Sequence, residues 1–243
     1  NKNPFTVILS HLNGEPTYDQ EFNKLKSKKK FFVIEDCAQA FPVKYKKKYC
    51  GTIFDIGCYS LSITKLITMV YGGFCVTNSK LLADKMKAIR NNGLDAQPEN
   101  AWLQVSSELG LNLKPSNLLA HIGKDNLQHY KKNISIVNKI HDHYLKNINN
   151  KKILIVKKKT KNSLPIYVYA YIKNRLKFIN FCKKNRIGIH LGFRGLHENG
   201  PFLKDSRNYK NSLFFSKYFI RLPSGPGYKL KDIKKICNIL NKY

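Results

Sequence analysis

The sequence predicts an α/β protein with a mostly parallel sheet, followed by a smaller α+β C-terminal domain, and three observations carry that prediction. Short continuous apolar runs recur at Phe5-Thr6-Val7-Ile8-Leu9, Phe31-Phe32-Val33-Ile34 and Ile56-Gly57-Cys58-Tyr59, bounded by Gly, Pro or Lys. Uninterrupted runs of this length suit strands buried on both faces. Between such runs the apolar spacing changes to three and four, as in Leu81, Leu82, Met86 and Ile89, which marks one face of a helix. The chain has 243 residues, 42% of them hydrophobic, enough for a sizeable core in one domain plus a smaller one.

Taken in order, the first strand centres on Val7 and the second on Val33. Asp36 falls at the C-terminal end of the second, the edge at which open α/β sheets bind ligands. A third strand, Ile56 to Ser60, follows a connecting loop and returns Ser60 and Lys65 to that edge. A fourth is expected near Cys75 after Gly72-Gly73, then a helix over residues 80 to 90. Residues 92 to 107 carry Gly93, Pro98 and many polar side chains and read as a long loop of the kind that covers a site, with Trp102 anchoring it to the body.

From 116 to 148 the spacing of Leu119, Ile122, Leu127, Ile134, Val137, Ile140, Tyr144 and Ile148 is helical, with Ser116 or Asn117 as N-cap, and predicts one or two linking helices. His121, His129, His141 and His143 lie on or beside them. They are not spaced with carboxylates or cysteines as metal ligands are, and exposed helix positions are expected for them. Strands near Ile153 and from Ile166 to Ile172, a helix from Arg175 to Asn185, the stretch Ile187 to Leu191 and a last helix from Lys229 to Leu240 complete a compact unit. No internal repeat is present.

Forty-four Lys and Arg against 15 Asp and Glu give a formal charge of +29, which raises nucleic-acid binding on electrostatic grounds alone. The distribution opposes it: lysines fall in short loop-like runs such as Lys28 to Lys30 and Lys46 to Lys48, with no Arg-rich reading helix, RNP-like strand or zinc module. Lysine, asparagine and isoleucine are abundant together, a compositional bias rather than the imprint of a partner. The six cysteines, at 37, 50, 58, 75, 182 and 237, form no Cys-x-x-Cys pair, so neither zinc nor a disulfide framework is expected and a reducing cytoplasm is the simpler reading. The longest apolar runs are far below the roughly 20 residues of a membrane helix.

The chemistry concentrates in Ile34-Glu35-Asp36-Cys37-Ala38-Gln39-Ala40 and Tyr59-Ser60-Leu61-Ser62-Ile63-Thr64-Lys65, which supply an acid, a hydroxyl and an amine. That is the set needed to hold pyridoxal phosphate. A carboxylate beside the pyridine nitrogen favours the protonated ring, the form that withdraws electrons from a substrate carbanion, and Asp36 suits that role. Lys65 suits condensation with the cofactor aldehyde as a Schiff base, and the proton shuttle between substrate and cofactor carbons. Ser60 is placed for the phosphate and Gln39 for the ring hydroxyl, although neither role is unique to this cofactor. Taken singly, an Asp after a strand or a Lys after a serine is structural more often than not.

The order of these blocks resembles the DegT/DnrJ/StrS family, pyridoxal phosphate-dependent aminotransferases acting on nucleotide-linked keto sugars. Glu35-Asp36-Cys37-Ala38-Gln39-Ala40 is similar to the family's acidic pair and Ala-Gln-Ala. Asp55, Tyr59-Ser60-Leu61 and Lys65 resemble its later Asp, aromatic-Ser segment and cofactor lysine, and Gly72-Gly73-Phe74-Cys75-Val76-Thr77 its Gly-Gly and strand. Arg90-Asn91-Asn92-Gly93-Leu94, Gly110-Leu111-Asn112-Leu113-Lys114, Gly188-Ile189, Gly195-Leu196-His197 and Leu222-Pro223 continue the family order. The chain departs from it at Val70-Tyr71, where an acidic residue is common, and at Pro42, where glycine is usual.

The resemblance implies a fold type I enzyme. It assigns residues 1–115 to a partial cofactor-binding large domain, 116–148 to linking helices and 149–243 to a small C-terminal domain, with roughly the first third of a family enzyme lying upstream of Asn1. It further implies a homodimer with shared active sites, in which Asn112 and Lys114 reach the neighbouring subunit's cofactor phosphate. Arg194 and His197 fall in a segment that approaches the sugar pocket, where an arginine pairs with a diphosphate. The expected activity is amino-group transfer from an amino acid such as glutamate to a nucleotide-linked keto-deoxysugar. The expected alternative is a non-catalytic sugar-binding or dimerisation remnant.

Overall fold

The computed structural model describes residues 5–94, 106–203 and 206–243. Trp102 and most of the loop expected over 92–107 lie outside the described residues. The chain divides into two compact units, Asn1–Tyr130 with Thr160–Leu164, and Lys131–Lys159 with Pro165–Tyr243.

The first unit is built on strands β1 (Thr6–Ser10), β2 (Phe32–Asp36), β5 (Ile56–Ser60) and β6 (Gly73–Val76), in spatial order β1-β2-β5-β6. β1, β2 and β5 are parallel and β6 runs antiparallel to β5. The sheet is thus mostly parallel, as the apolar runs predict. Helix α1 (Gln20–Lys28) crosses between β1 and β2, with the Asp19 carboxylate accepting from Phe22 N–H at its N-terminus. Lys44 to Tyr49, read from sequence as a lysine-rich loop, instead forms a hairpin of β3 (Lys44–Tyr45) and β4 (Lys48–Tyr49), turning at Lys46 with φ of 54°. Helices α2 (Lys80–Arg90) and α3 (Asn117–Gln128) are capped by the Ser79 and Ser116 hydroxyls.

The second unit packs helices α4 (Tyr130–Asn147), α5 (Arg175–Lys184), α6 (Lys210–Tyr218) and α7 (Leu230–Leu240) with an antiparallel sheet ordered β7 (Ile153–Ile155), β8 (Val168–Ile172), β9 (Phe219–Leu222). Its core includes Tyr144, Phe178, Ile220, Ile233 and Leu240, all essentially inaccessible. His141 corrects the expectation of exposure: it is buried and its Nε2 donates to Val156 carbonyl at 2.9 Å. Val137, Ile140, His141 and Tyr144 share the i, i+3, i+4, i+7 face of α4, so the histidine occupies a core position. Among the described residues no helix is long and apolar enough to cross a membrane.

Candidate active site

The parallel strands stand in step, with Ser10 opposite Asp36 and Asp36 opposite Cys58. Paired residues on neighbouring strands share a face, as do residues two apart on one strand. Ser10, Asp36, Cys58 and Ser60 therefore line one face of the sheet at its C-terminal edge. Ile8 and Phe32, on the same face, are 69% and 50% exposed, so this face is open. Both Asp36 oxygens are fixed: Ser10 Oγ donates to Oδ2 at 3.1 Å and Ala38 N–H to Oδ1 at 3.0 Å. Ser60 Oγ donates to Ser62 Oγ at 3.2 Å and accepts from Ser62 N–H. The Gln39 carbonyl oxygen accepts from Asn13 N–H at 2.9 Å, which ties the turn after β2 to the turn after β1.

Lys65 is half-buried on the loop from β5 to β6. Leu61 N–H donates to Gly72 carbonyl at 2.9 Å and Met69 N–H to Leu61 carbonyl at 2.8 Å, closing the loop at its base. Leu66, Ile67 and Met69 are buried and anchor it. Gly123 on α3 permits that anchoring, because a Cβ there would lie 2.9 Å from Met69 Cβ. Lys65 N–H itself donates to Ser62 carbonyl at 2.9 Å. The amine is thus carried on a braced turn that starts one residue beyond Ser60, with Asp36 on the adjoining strand.

The opposite face holds the residue before Asp36. Glu35 is fully buried; its Oε1 accepts from Gly51 N–H at 2.6 Å, from His11 Nε2 at 3.3 Å and from the Tyr18 hydroxyl. Oε2 accepts from Ile53 N–H at 2.9 Å and Phe54 N–H at 2.7 Å. Burial pushes this carboxyl up, but the hydrogen bonds from His11, Tyr18 and the backbone of Phe54 and Gly51 outweigh burial and hold it below the ordinary carboxylate range. Burial, followed by the Glu35 hydrogen bond, raises Tyr18 far above the phenolic range. His11, Glu35 and Cys37 offer ligand atoms within 4.8 Å of one another. Glu35 already accepts five donors and His11 Nδ1 accepts Thr17 N–H at 3.1 Å, so hydrogen bonds occupy the Glu35 and His11 atoms that would bind a metal.

Asn112 and Lys114 meet the end of α2 rather than Asp36, Gln39 or Ser60. Asn112 bridges Asn91, and Lys114 Nζ donates to Asn91 Oδ1 at 2.9 Å. Gly93, at φ of 79°, and Gly110 make this approach possible, since a Cβ on Gly110 would lie 1.9 Å from Gly93 N. In the second unit Arg194 is exposed and borders a cavity of about 540 Å³ together with Arg175, Glu198 and Lys217. Arg175 Nη2 donates to Leu191 carbonyl at 2.9 Å and Nη1 to Ser216 carbonyl, which joins two walls of the cavity. Glu198 accepts from Gly195 N–H at 2.9 Å and from Ser216 Oγ at 3.0 Å, bonds that hold its carboxyl below the ordinary range. His197 is buried and stacks on Tyr209, and its Nε2 has no hydrogen-bond partner among the described residues.

Sequence reasoning missed Ser10 and the Glu35 hub. Ser10 is recognisable only once β1 and β2 are aligned in register. Glu35 stands in the same motif as Asp36, and strand alternation alone assigns the two carboxylates to opposite faces.

The DegT/DnrJ/EryC1/StrS aminotransferase family model matches residues 2–241. A GDP-perosamine synthase of Escherichia coli O157:H7 is 31% identical over 242 residues, which cover 98% of this chain and 65% of that protein. A UDP-4-amino-4,6-dideoxy-N-acetyl-beta-L-altrosamine transaminase of Campylobacter jejuni, strain 81-176, is 25% identical over 247 residues, 96% of this chain and 64% of that one. The crystal structure of the aminotransferase TlmJ from Streptoalloteichus hindustanus matches the fold with a TM-score of 0.89 at 14% identity, over 100% of this chain and 66% of its own. The chain therefore spans 64–66% of the length of these three relatives. The motif blocks keep their order and the family model runs almost from end to end: the chain belongs to the DegT/DnrJ/EryC1/StrS aminotransferase family.

Proposed function

We propose that the protein containing this chain is a pyridoxal phosphate-dependent aminotransferase that moves an amino group from an amino acid, glutamate in the simplest case, to a nucleotide-linked keto-deoxysugar. The observation that carries the reading is the alignment of Ser10, Asp36 and Ser60 on one open face at the C-terminal sheet edge, beside the braced loop of Lys65. The family's aminotransferases depend on pyridoxal phosphate. When bound, that cofactor supplies an electron-accepting ring and an aldehyde.

The chain's residues fit such a group. Asp36, oriented through both oxygens, hydrogen-bonds the ring nitrogen and favours its protonated form. Ser60 binds phosphate, and Gln39, its carbonyl directed at Asn13, presents its amide nitrogen toward a ring hydroxyl. Lys65 is the covalent anchor through its Nζ and, once released by the incoming amine, the base that removes a proton from the donor's α-carbon and returns one to the acceptor carbon. Asn112 and Lys114 serve the phosphate of a second copy in a cytoplasmic homodimer. Arg194, with Lys217 across the same cavity, pairs with the diphosphate of the sugar nucleotide, and the buried His197, three residues on, holds the segment that approaches the same substrate.

The test is an absorbance spectrum of the chain with pyridoxal phosphate, before and after borohydride, beside Lys65→Ala. A band that borohydride traps on Lys65, and that the variant lacks, supports the reading. Its absence at saturating cofactor would mean that these 243 residues by themselves do not assemble the site, as a fragment or a non-catalytic sugar-binding or dimerisation remnant would not, and the same spectrum of a chain as long as the GDP-perosamine synthase then separates the two.

A further inference from the structure

Cys58 and Cys75 stand directly opposite each other in the antiparallel pairing of β5 with β6. The Cys75 thiol donates to Cys58 Sγ at 3.6 Å. Opposed residues in an antiparallel ladder have Cα atoms about 4.5–5.5 Å apart, inside the range of about 4.4–6.8 Å that a disulfide spans. Joining these sulfurs therefore asks for side-chain rotation and not for movement of the strands. Cys37, Cys50, Cys182 and Cys237 are all buried, whereas Cys75 is exposed and Cys58 half-buried. The segment between the pair carries Ser60, Lys65 and the Gly72-Gly73 turn, and Cys58 is the register partner of Asp36.

We propose that Cys58 and Cys75 form an oxidation site whose cross-strand disulfide staples the base of the loop that carries Lys65. The oxidant is a low-molecular-weight disulfide. The sulfur of Cys75, the exposed member, attacks one sulfur of the oxidant, breaking its S–S bond and releasing one small thiol. The Cys58 sulfur then attacks the Cys75 sulfur of the mixed disulfide and releases the second small thiol. One S–S bond breaks and one forms; the two cysteine protons end on the two released thiols, and the two electrons lost by the cysteines reduce the oxidant. Burial, the Cys75 hydrogen bond and the charges of Cys75 and Asp36 push the Cys58 thiol up to about 12, which keeps it protonated and leaves the first attack to the exposed Cys75.

The experiment is incubation of the intact chain with glutathione disulfide, followed by peptide mapping without reductant and by amide hydrogen exchange. The expected result is a peptide linking Cys58 to Cys75, a loss of two titratable thiols restored by dithiothreitol, and slower exchange over residues 61–72. Cys58→Ser should stop at a glutathione adduct on Cys75, with the circular dichroism of the unmodified chain retained. An adduct on Cys75 of the wild-type chain that never resolves, or no reaction at Cys75, would overturn the site. A cross-link without slower exchange over 61–72 would overturn the stapling. None of these readouts needs the cofactor, so they stand apart from the test at Lys65.

Discussion

Replacing Glu35 by glutamine keeps the side chain's size and removes one acceptor oxygen from a site with five donors. If the amide oxygen takes the Oε1 position, its nitrogen confronts Ile53 and Phe54 N–H; if it takes Oε2, the nitrogen confronts Gly51 N–H, Tyr18 and His11. Either way two or more buried donors lose their acceptor. At about 1–3 kcal/mol for each, the cost is about 2–6 kcal/mol, a large part of the roughly 5–15 kcal/mol that stabilises a folded domain. With a urea slope of about 2 kcal/mol/M, far-UV circular dichroism should show the midpoint falling by about 1–3 M at pH 7. The pH dependence follows from the depressed carboxyl: its contribution is present above the ordinary value of 4.5 and lost as pH falls through the lower folded value, so the gap between wild type and variant should narrow under acid. A midpoint shift below about 0.3 M at pH 7 would refute the assignment of Glu35 as the hub of this unit.

Gly57→Ala should cost about 3 kcal/mol, the upper part of the overpacking range, by the same denaturation assay, because a Cβ there would lie 2.0 Å from Gly51 carbonyl oxygen while Gly51 N–H is held by Glu35. Tyr144→Phe removes the hydroxyl that donates to Pro223 carbonyl at 2.9 Å inside the second unit, and should lower stability by about 1–2 kcal/mol, read as a lower melting temperature. Ser10→Ala frees one oxygen of Asp36 at an exposed position; the denaturation midpoint should change little while the apparent affinity for pyridoxal phosphate, read from its absorbance band, falls about threefold to tenfold.

The elements legible in sequence are those whose burial writes a period into the chain. β1, β2, β5 and β6 appear where their apolar runs place them, and α2 covers residues 80 to 90 as its apolar face predicts. α1 was illegible because none of its residues is buried and its composition is rich in lysine; only the Asp19 cap marks it. α6 ends at Tyr218 and β9 begins at the next residue, Phe219, so no Gly or Pro announces the change from helix to strand. At the site, the order of Asp36, Ser60 and Lys65 is readable because Asp36 and Ser60 end apolar strands and Lys65 follows the second of them. The donors that hold Glu35 are not, since they are mostly backbone N–H groups at 51, 53 and 54, whose convergence depends on the fold and not on residue type.

Adjacent carboxylates on opposite faces of β2 also bear on how the strand finds its place during folding. A slip of one residue would turn Asp36 toward Tyr18 and His11 and bring Glu35 to the open face. The slipped strand would still present an acid on each side, so charge and polarity alone do not distinguish the two pairings. Side-chain length does: aspartate is one methylene shorter than the glutamate that reaches five donors across the turn at 51–54 and the segment at 11–18. A single CH₂ thus acts as a gauge that selects the alignment in which Asp36 lies on the open face. Exchanging the pair, Glu35→Asp with Asp36→Glu, would preserve composition and net charge while erasing that discrimination.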